Sequence, residues 1–175
     1  MRVVIMGGTS GIGVAYAEKL TADGAEVIVT GRDAEKLAAV KDRVAGAEKV
    51  DDASESAVTE FFERIGSFDH LVLAFSPGAL GLGPLAGVNL ADIKGAFDGK
   101  LFPYLFALQK AQVTGSVTMV SAATVTGGSP WHGDVRGGQR RHPTHRAAAG
   151  RRAVPGARQR RGARCPRHAV AVVPV

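Results

Sequence analysis

Apolar residues in this chain follow two alternating rhythms as far as Pro130. RVVIM, residues 2–6, is a short β-branched run ending in a glycine cluster, the pattern of a buried strand. GIGVAYAEKLTADG then repeats Ile12, Ala15 and Leu20 at helical spacing and should stop at Gly24. AEVIVTG predicts a second strand, and DAEKLAAVKDRVAG a second helix capped by Asp33. A third strand is expected around Val50, and SESAVTEFFERIG predicts a third helix with Ser54 as its N-cap. FDHLVLAF reads as a fourth strand. After a Gly/Pro-rich loop, LADIKGAFDGKLFPYLFALQKA predicts one long helix and GSVTMVSA a fifth strand. Strands that alternate with helices imply right-handed crossovers and a parallel sheet covered on both faces. The predicted class is therefore α/β, a Rossmann-like doubly wound parallel sheet, with Phe61, Phe62, Leu71, Leu73 and Val117 in its core.

From Trp131 the rhythm is lost and composition takes over. Residues 1–130 carry 11 Lys/Arg against 15 Asp/Glu, whereas residues 131–175 carry 11 Arg against Asp134 alone. The net charge of +6 thus conceals a mildly acidic body and a strongly basic tail, an asymmetry that points toward nucleic acid or a membrane surface. A length of 175 residues suits one domain with a sizeable core. Residues 1–130 are expected to form that domain, and residues 131–175 a disordered or out-of-frame basic tail. The single Cys165 excludes an internal disulfide, and no apolar segment reaches membrane-spanning length. With no signal-peptide pattern at the N-terminus, a cytoplasmic protein without membrane contact is expected. His132, His142, His145, His168 and Cys165 fit no standard metal spacing, so no metal is expected. Trp131 is the tail's only aromatic residue, which leaves little for base stacking and makes nucleic acid an unfavoured partner.

Chemistry concentrates at the first turn. MGGTSGIG places Gly7, Gly11 and Gly13 as GxxxGxG between a strand and a helix start. Residues without a Cβ let a pyrophosphate approach the backbone, and the helix start offers free N–H groups and a positive dipole. In a βαβ context this spacing favours a dinucleotide over turn glycines that serve packing alone. Beyond the second strand stands TGRD, with Arg32 first and Asp33 second. An arginine there can fork onto a 2′-phosphate, which favours NADP, with NAD the alternative. The plainer alternative is a solvated Arg32 and an Asp33 that merely caps the next helix.

GGTSGIG, VDDASESAV, FDHLV and GSVTMVSAA, in that order, resemble the N-terminal two-thirds of a short-chain dehydrogenase/reductase. The resemblance implies hydride transfer between a nicotinamide and a carbonyl or alcohol, on a small-molecule substrate. It implies cofactor contacts from Gly7, Thr9, Ser10, Gly11, Ile12 and Gly13. Arg32 and Ala74 join them, as does Asp51 at the adenine, with Asp52 as the neighbouring alternative. The family usually forms homo-oligomers, whose contacts would fall largely in the altered region.

The departures are as informative. The family's Asn-Asn-Ala-Gly is here LAFS, Leu73 to Ser76, and its fourth-helix asparagine corresponds to Lys100. Ser121 is the candidate oxyanion-binding serine, although spacing to the GGSP turn puts the family's serine at Ala122. No YxxxK motif exists, because the only tyrosines are Tyr16 and Tyr104 and neither has a lysine four residues on. The family's acid/base chemistry cannot be assembled from these residues as usually drawn.

The genetic code suggests where the tyrosine went. Back-translated and read one nucleotide later, WHGDVRGGQRRH can become GTAMYGAVNAAI, and RQRRGARCPRHAV can become VNAVAPGVPGTPW. These are the family's tyrosine helix and the strand and loop that follow it, in order. A shifted Gln139 gives only Asn or Ser, so the parent frame also lacked the usual lysine, and Lys100 is the candidate substitute for its charge. The expectation is a sheet truncated after the fifth strand, with an exposed edge and low solubility. Tail strands extending the sheet would count against the displaced frame. Two other readings stay open: a catalytically inactive nucleotide-binding remnant, and a nucleic-acid-binding protein acting through its arginines.

Overall fold

The computed structural model describes residues 1–78, 80, 81, 86–122 and 168–174. The GGSP turn and residues 131–167 of the tail lie outside the described residues. The chain begins with β1 (Arg2–Met6), α1 (Gly11–Ala22), β2 (Glu26–Gly31), α2 (Ala34–Val40) and β3 (Gly46–Lys49). It continues through α3 (Glu55–Ile65), β4 (Phe68–Leu73), α4 (Leu90–Ala96), α5 (Phe102–Lys110) and β5 (Val113–Ala122), and ends in β6 (His168–Pro174). The sheet order is β3-β2-β1-β4-β5-β6, with the first five strands parallel.

Two cores explain why these strands are apolar on both faces. Val4, Met6, Ile28, Phe61, Phe62, Leu71, Leu73, Tyr104 and Val117 pack on the side of α3 and α5. Val3, Ile5, Val27, Val29 and Val72 pack with Ala17 of α1 and Val40 of α2 on the other. Adjacent residues of one strand thus feed opposite layers, as the pleat requires. All five residues expected in the core, Phe61, Phe62, Leu71, Leu73 and Val117, are buried.

Three expectations are corrected. The second helix does not run to Gly46: α2 ends at Val40 and a 3-10 turn covers Lys41–Arg43. β3 is Gly46–Lys49, ahead of Val50, and pairs with β2 from Ile28↔Gly46 to Gly31↔Lys49. GAEK has no apolar run to announce a strand; the free edge of β2 selects it, and Val50 packs into the core just beyond. The long helix is interrupted by a π turn at Phe97–Leu101, where the Phe102 N–H bonds to the Phe97 carbonyl. Pro103 follows with no N–H to give, and a widened turn accommodates a proline that a regular helix would not.

A further correction concerns the sheet edge. The sheet does not stop after β5, because β6 pairs antiparallel with it from Ser116↔Pro174 to Ala122↔His168. HAVAVVP is the tail's β-branched run, and an unpaired β5 edge is a template for such a segment.

Candidate functional site

The strand order reverses direction between β1 and β4, so a crevice opens at the C-terminal ends of these two strands. The glycine loop occupies one lip. Gly7, with φ 79°, follows β1 directly, and its N–H and that of Gly8 donate to the Thr30 carbonyl at 3.1 and 3.2 Å. A Cβ at Gly7 would lie 2.6 Å from the Phe75 nitrogen and 2.9 Å from the Ala74 carbonyl carbon, which is the opposite lip. A Cβ at Gly13 would lie 2.2 Å from the Gly7 carbonyl oxygen. These two glycines let strand, loop and helix close on one another. Gly11 differs: its φ is 53° and nothing lies within 4 Å of where its Cβ would stand.

The start of α1 is also unlike those of α2, α3 and α4. Asp33 accepts from the Glu35 and Lys36 N–H groups at 3.0 and 3.2 Å, Ser54 caps α3, and Asn89 caps α4. Each of those first turns carries an acidic residue, Glu35, Glu55 or Asp92. Ser10 stands in the capping position of α1 but makes no capping hydrogen bond, and the first turn of α1 holds no acid. Ser10, Gly11 and Ile12 are exposed, and Thr9 is half-buried beside Gly31. The N-terminal donors of α1 therefore face the crevice unopposed.

Further along the sheet edge, a Cβ at Gly31 would approach Thr9 Cγ2 to 2.7 Å, so β2 cannot end in an acidic side chain without displacing the loop. Arg32 comes next and is exposed. Asp33 is committed to α2, and the Lys36 N–H in particular holds its carboxyl below the ordinary range. Asp51 is exposed and turns the chain into α3, its Oδ1 accepting from the Ala53 N–H at 3.1 Å. Asp52 is the buried member of the pair, 6% exposed. Burial pushes its carboxyl up to about 6, against the attraction of Arg32 and with the repulsion of Asp51. Thr30 lowers it slightly, yet neither Thr30 Oγ1 nor Asp52 Oδ1 makes a hydrogen bond of ordinary geometry.

The catalytic candidates are not assembled in the same way. Ser121 is exposed near the end of β5. Lys100 lies in the π turn, its Nζ 5.5 Å from the centre of the Tyr104 ring, and burial lowers its pKa. Tyr104 is buried; its hydroxyl donates to the Leu73 carbonyl at 2.8 Å and lies 3.3 Å from the Phe75 and Val120 carbonyls. Burial, and then the charge of Asp52, hold the phenol above its ordinary range. Tyr16 is exposed on α1. Sequence reasoning missed the Thr30–Asp52 pair, and only the choice between Asp51 and Asp52 hinted at it.

The arrangement is that of a doubly wound α/β protein with a glycine-rich loop at its strand-order reversal. The family model described as short chain dehydrogenase matches residues 1–122, and the chain belongs to that family, whose members typically bind NAD(P). L-2,3-butanediol dehydrogenase of Corynebacterium glutamicum is 32% identical over 120 residues, covering 62% of this chain and 46% of that enzyme. A 7beta-hydroxysteroid dehydrogenase of Mediterraneibacter gnavus is 26% identical over 155 residues, covering 78% and 57%. A short-chain dehydrogenase/reductase from Vibrio parahaemolyticus has a similar structure, with TM-score 0.56, 26% identity and coverage of 62% and 53%. The chain spans about half the length of the curated relatives it matches. No helix among the described residues is long and apolar enough to cross a membrane.

Proposed function

We propose that this chain binds an adenine dinucleotide, with NADP preferred over NAD, as the nucleotide half of an oxidoreductase of carbonyl and alcohol groups. The observation that carries this reading is the uncapped start of α1, joined to a loop in which Gly7 and Gly13 have no room for a Cβ and Gly11 leaves its face open. A pyrophosphate fits there, taking N–H donors from the loop and first turn around Thr9, Ser10, Gly11, Ile12 and Gly13. In this reading Arg32 would meet the 2′-phosphate, Asp51 the adenine, and the Ala74 backbone would form the far wall. Gly31 supports the NADP preference, because no acid can be seated there to take a ribose hydroxyl. The bound nicotinamide would supply the hydride acceptor or donor, and Ser121 would present a hydroxyl to the substrate oxygen near the end of β5.

A second reading, cofactor binding without turnover, is favoured by a specific observation. Tyr16 lies on α1 and Tyr104 has its hydroxyl committed to strand carbonyls, so neither is placed to pass a proton at the crevice. Fluorescence titration with NADPH and NADH, followed by assays on a panel of ketones and alcohols, separates the readings. Binding with turnover supports the oxidoreductase, and binding alone supports the inactive form. Arg32→Ala should weaken NADPH binding about tenfold or more, while leaving NADH within about twofold. Equal losses for both nucleotides would contradict the role given to Arg32.

A further inference from the structure

Beside the glycine loop lies a buried carboxyl that the loop does not explain. Asp52 is 6% exposed with an unpartnered Oδ1, and Thr30 is fully buried with an unpartnered Oγ1. Ile28 packs on the α3 and α5 side while Val27 and Val29 pack on the other, so the alternation of β2 puts Thr30 on the side of Ile28. Thr30 is also the register partner of Met6, the residue before the glycine loop. Buried polar atoms without partners are rare and point to a role. The groups that act on Asp52 are Arg32 beyond β2, Asp51 beside it in the chain, Thr30 on β2, and Tyr104 on α5. The Tyr104 hydroxyl serves the Leu73 carbonyl.

We propose that Asp52 couples dinucleotide binding at this crevice to the uptake of a proton. This rests on the dinucleotide site proposed above. Among the described residues, Arg32 is the cation that favours the charged carboxylate in the free chain. A phosphate engaged by Arg32 withdraws that support and adds repulsion, and both effects favour the neutral acid. The proton comes from solvent and settles on a buried carboxyl whose Oδ1 has no hydrogen-bond partner in the free chain. Burial places the free carboxyl at about 6, so it is mostly ionised at neutral pH and binding must take up part of a proton. Affinity then falls as pH rises above that value.

The test is calorimetric titration of the full chain with NADP⁺ in two buffers of contrasting ionisation enthalpy. Wild type is compared with Asp52→Asn and with Asp52→Val, whose apolar side chain suits a buried site. The 2′-phosphate titrates in the same range, so the readout is the difference between chains. Wild type should take up more protons than either variant, and its affinity should fall about threefold more between about pH 6 and about pH 8. Equal uptake by wild type and variants overturns the coupling but leaves the dinucleotide site standing. Failure of every chain to bind NADP⁺ overturns the site and the coupling together.

Discussion

At the scale of single residues, two glycines with the same letter do different work. A Cβ at Gly13 would strike the Gly7 carbonyl oxygen, so Gly13→Ala must move the loop or the helix. A Cβ at Gly11 meets nothing in the protein and enters the space where a phosphate would approach. Gly13→Ala should therefore lower the melting temperature, whereas Gly11→Ala, paying about 1 kcal/mol for its left-handed backbone, should lose NADPH binding in greater proportion than stability. Thermal melts paired with nucleotide titrations distinguish the two. Asp52 gives a second residue-scale prediction. Its folded carboxyl is raised from 3.8 to about 6, so the folded chain binds that proton more tightly than the unfolded chain does. Its contribution is fully present below the unfolded value and is lost as pH rises through about 6, a loss of about 2 to 3 kcal/mol at neutral pH. Asp52→Asn should raise stability at pH 7 and flatten that slope, as read from denaturant midpoints across this range. A slope unchanged by the substitution would contradict the buried acid.

At the scale of elements, Tyr104 is the tie between α5 and the strand ends. Its hydroxyl serves Leu73 at the end of β4 and lies by Val120 of β5, while its ring meets Phe75 edge-on at 4.7 Å. Tyr104→Phe keeps the ring and removes the donor, so it should cost about 1 to 2 kcal/mol in chemical denaturation and leave nucleotide affinity within about twofold. A large loss of binding with unchanged stability would make Tyr104 a site residue instead. The same scale shows what a sequence can and cannot declare. β1, β2 and β4 were legible because apolar runs such as VVIM and HLVL need burial on both faces. Asp33 and Ser54 were legible as caps because their chemistry is local. β3 was not, since GAEK becomes a strand only through its pairing with β2. The π turn was masked by an unbroken helical pattern in which Pro103 was the only warning. At the site, the glycine positions could be read from spacing, but the Thr30–Asp52 pair arises from two segments that meet only in the folded chain.

At the scale of the whole molecule, a parallel sheet of five strands gains an antiparallel sixth from the far end of the chain. Without it the β5 edge would be a template for other chains, so deleting residues 168–175 should promote aggregation, measured by light scattering at matched concentration. Equal solubility would mean that the edge is protected some other way. The pairing also counts against a displaced reading frame, which led to the expectation of a bare edge. The frame arithmetic beyond Pro130 stands apart from the backbone, and the nucleotide sequence at that codon decides it. The first 122 residues match a family whose curated members are about twice as long as the matched part, and the proposed nucleotide site lies at the reversal of strand order. Direct titration of the full chain with NADP⁺ and NAD⁺ tests that claim most simply. Saturable binding at one site per chain, tighter for NADP⁺ and weakened by Gly11→Ala, is the predicted result. A folded chain that binds neither nucleotide would contradict it.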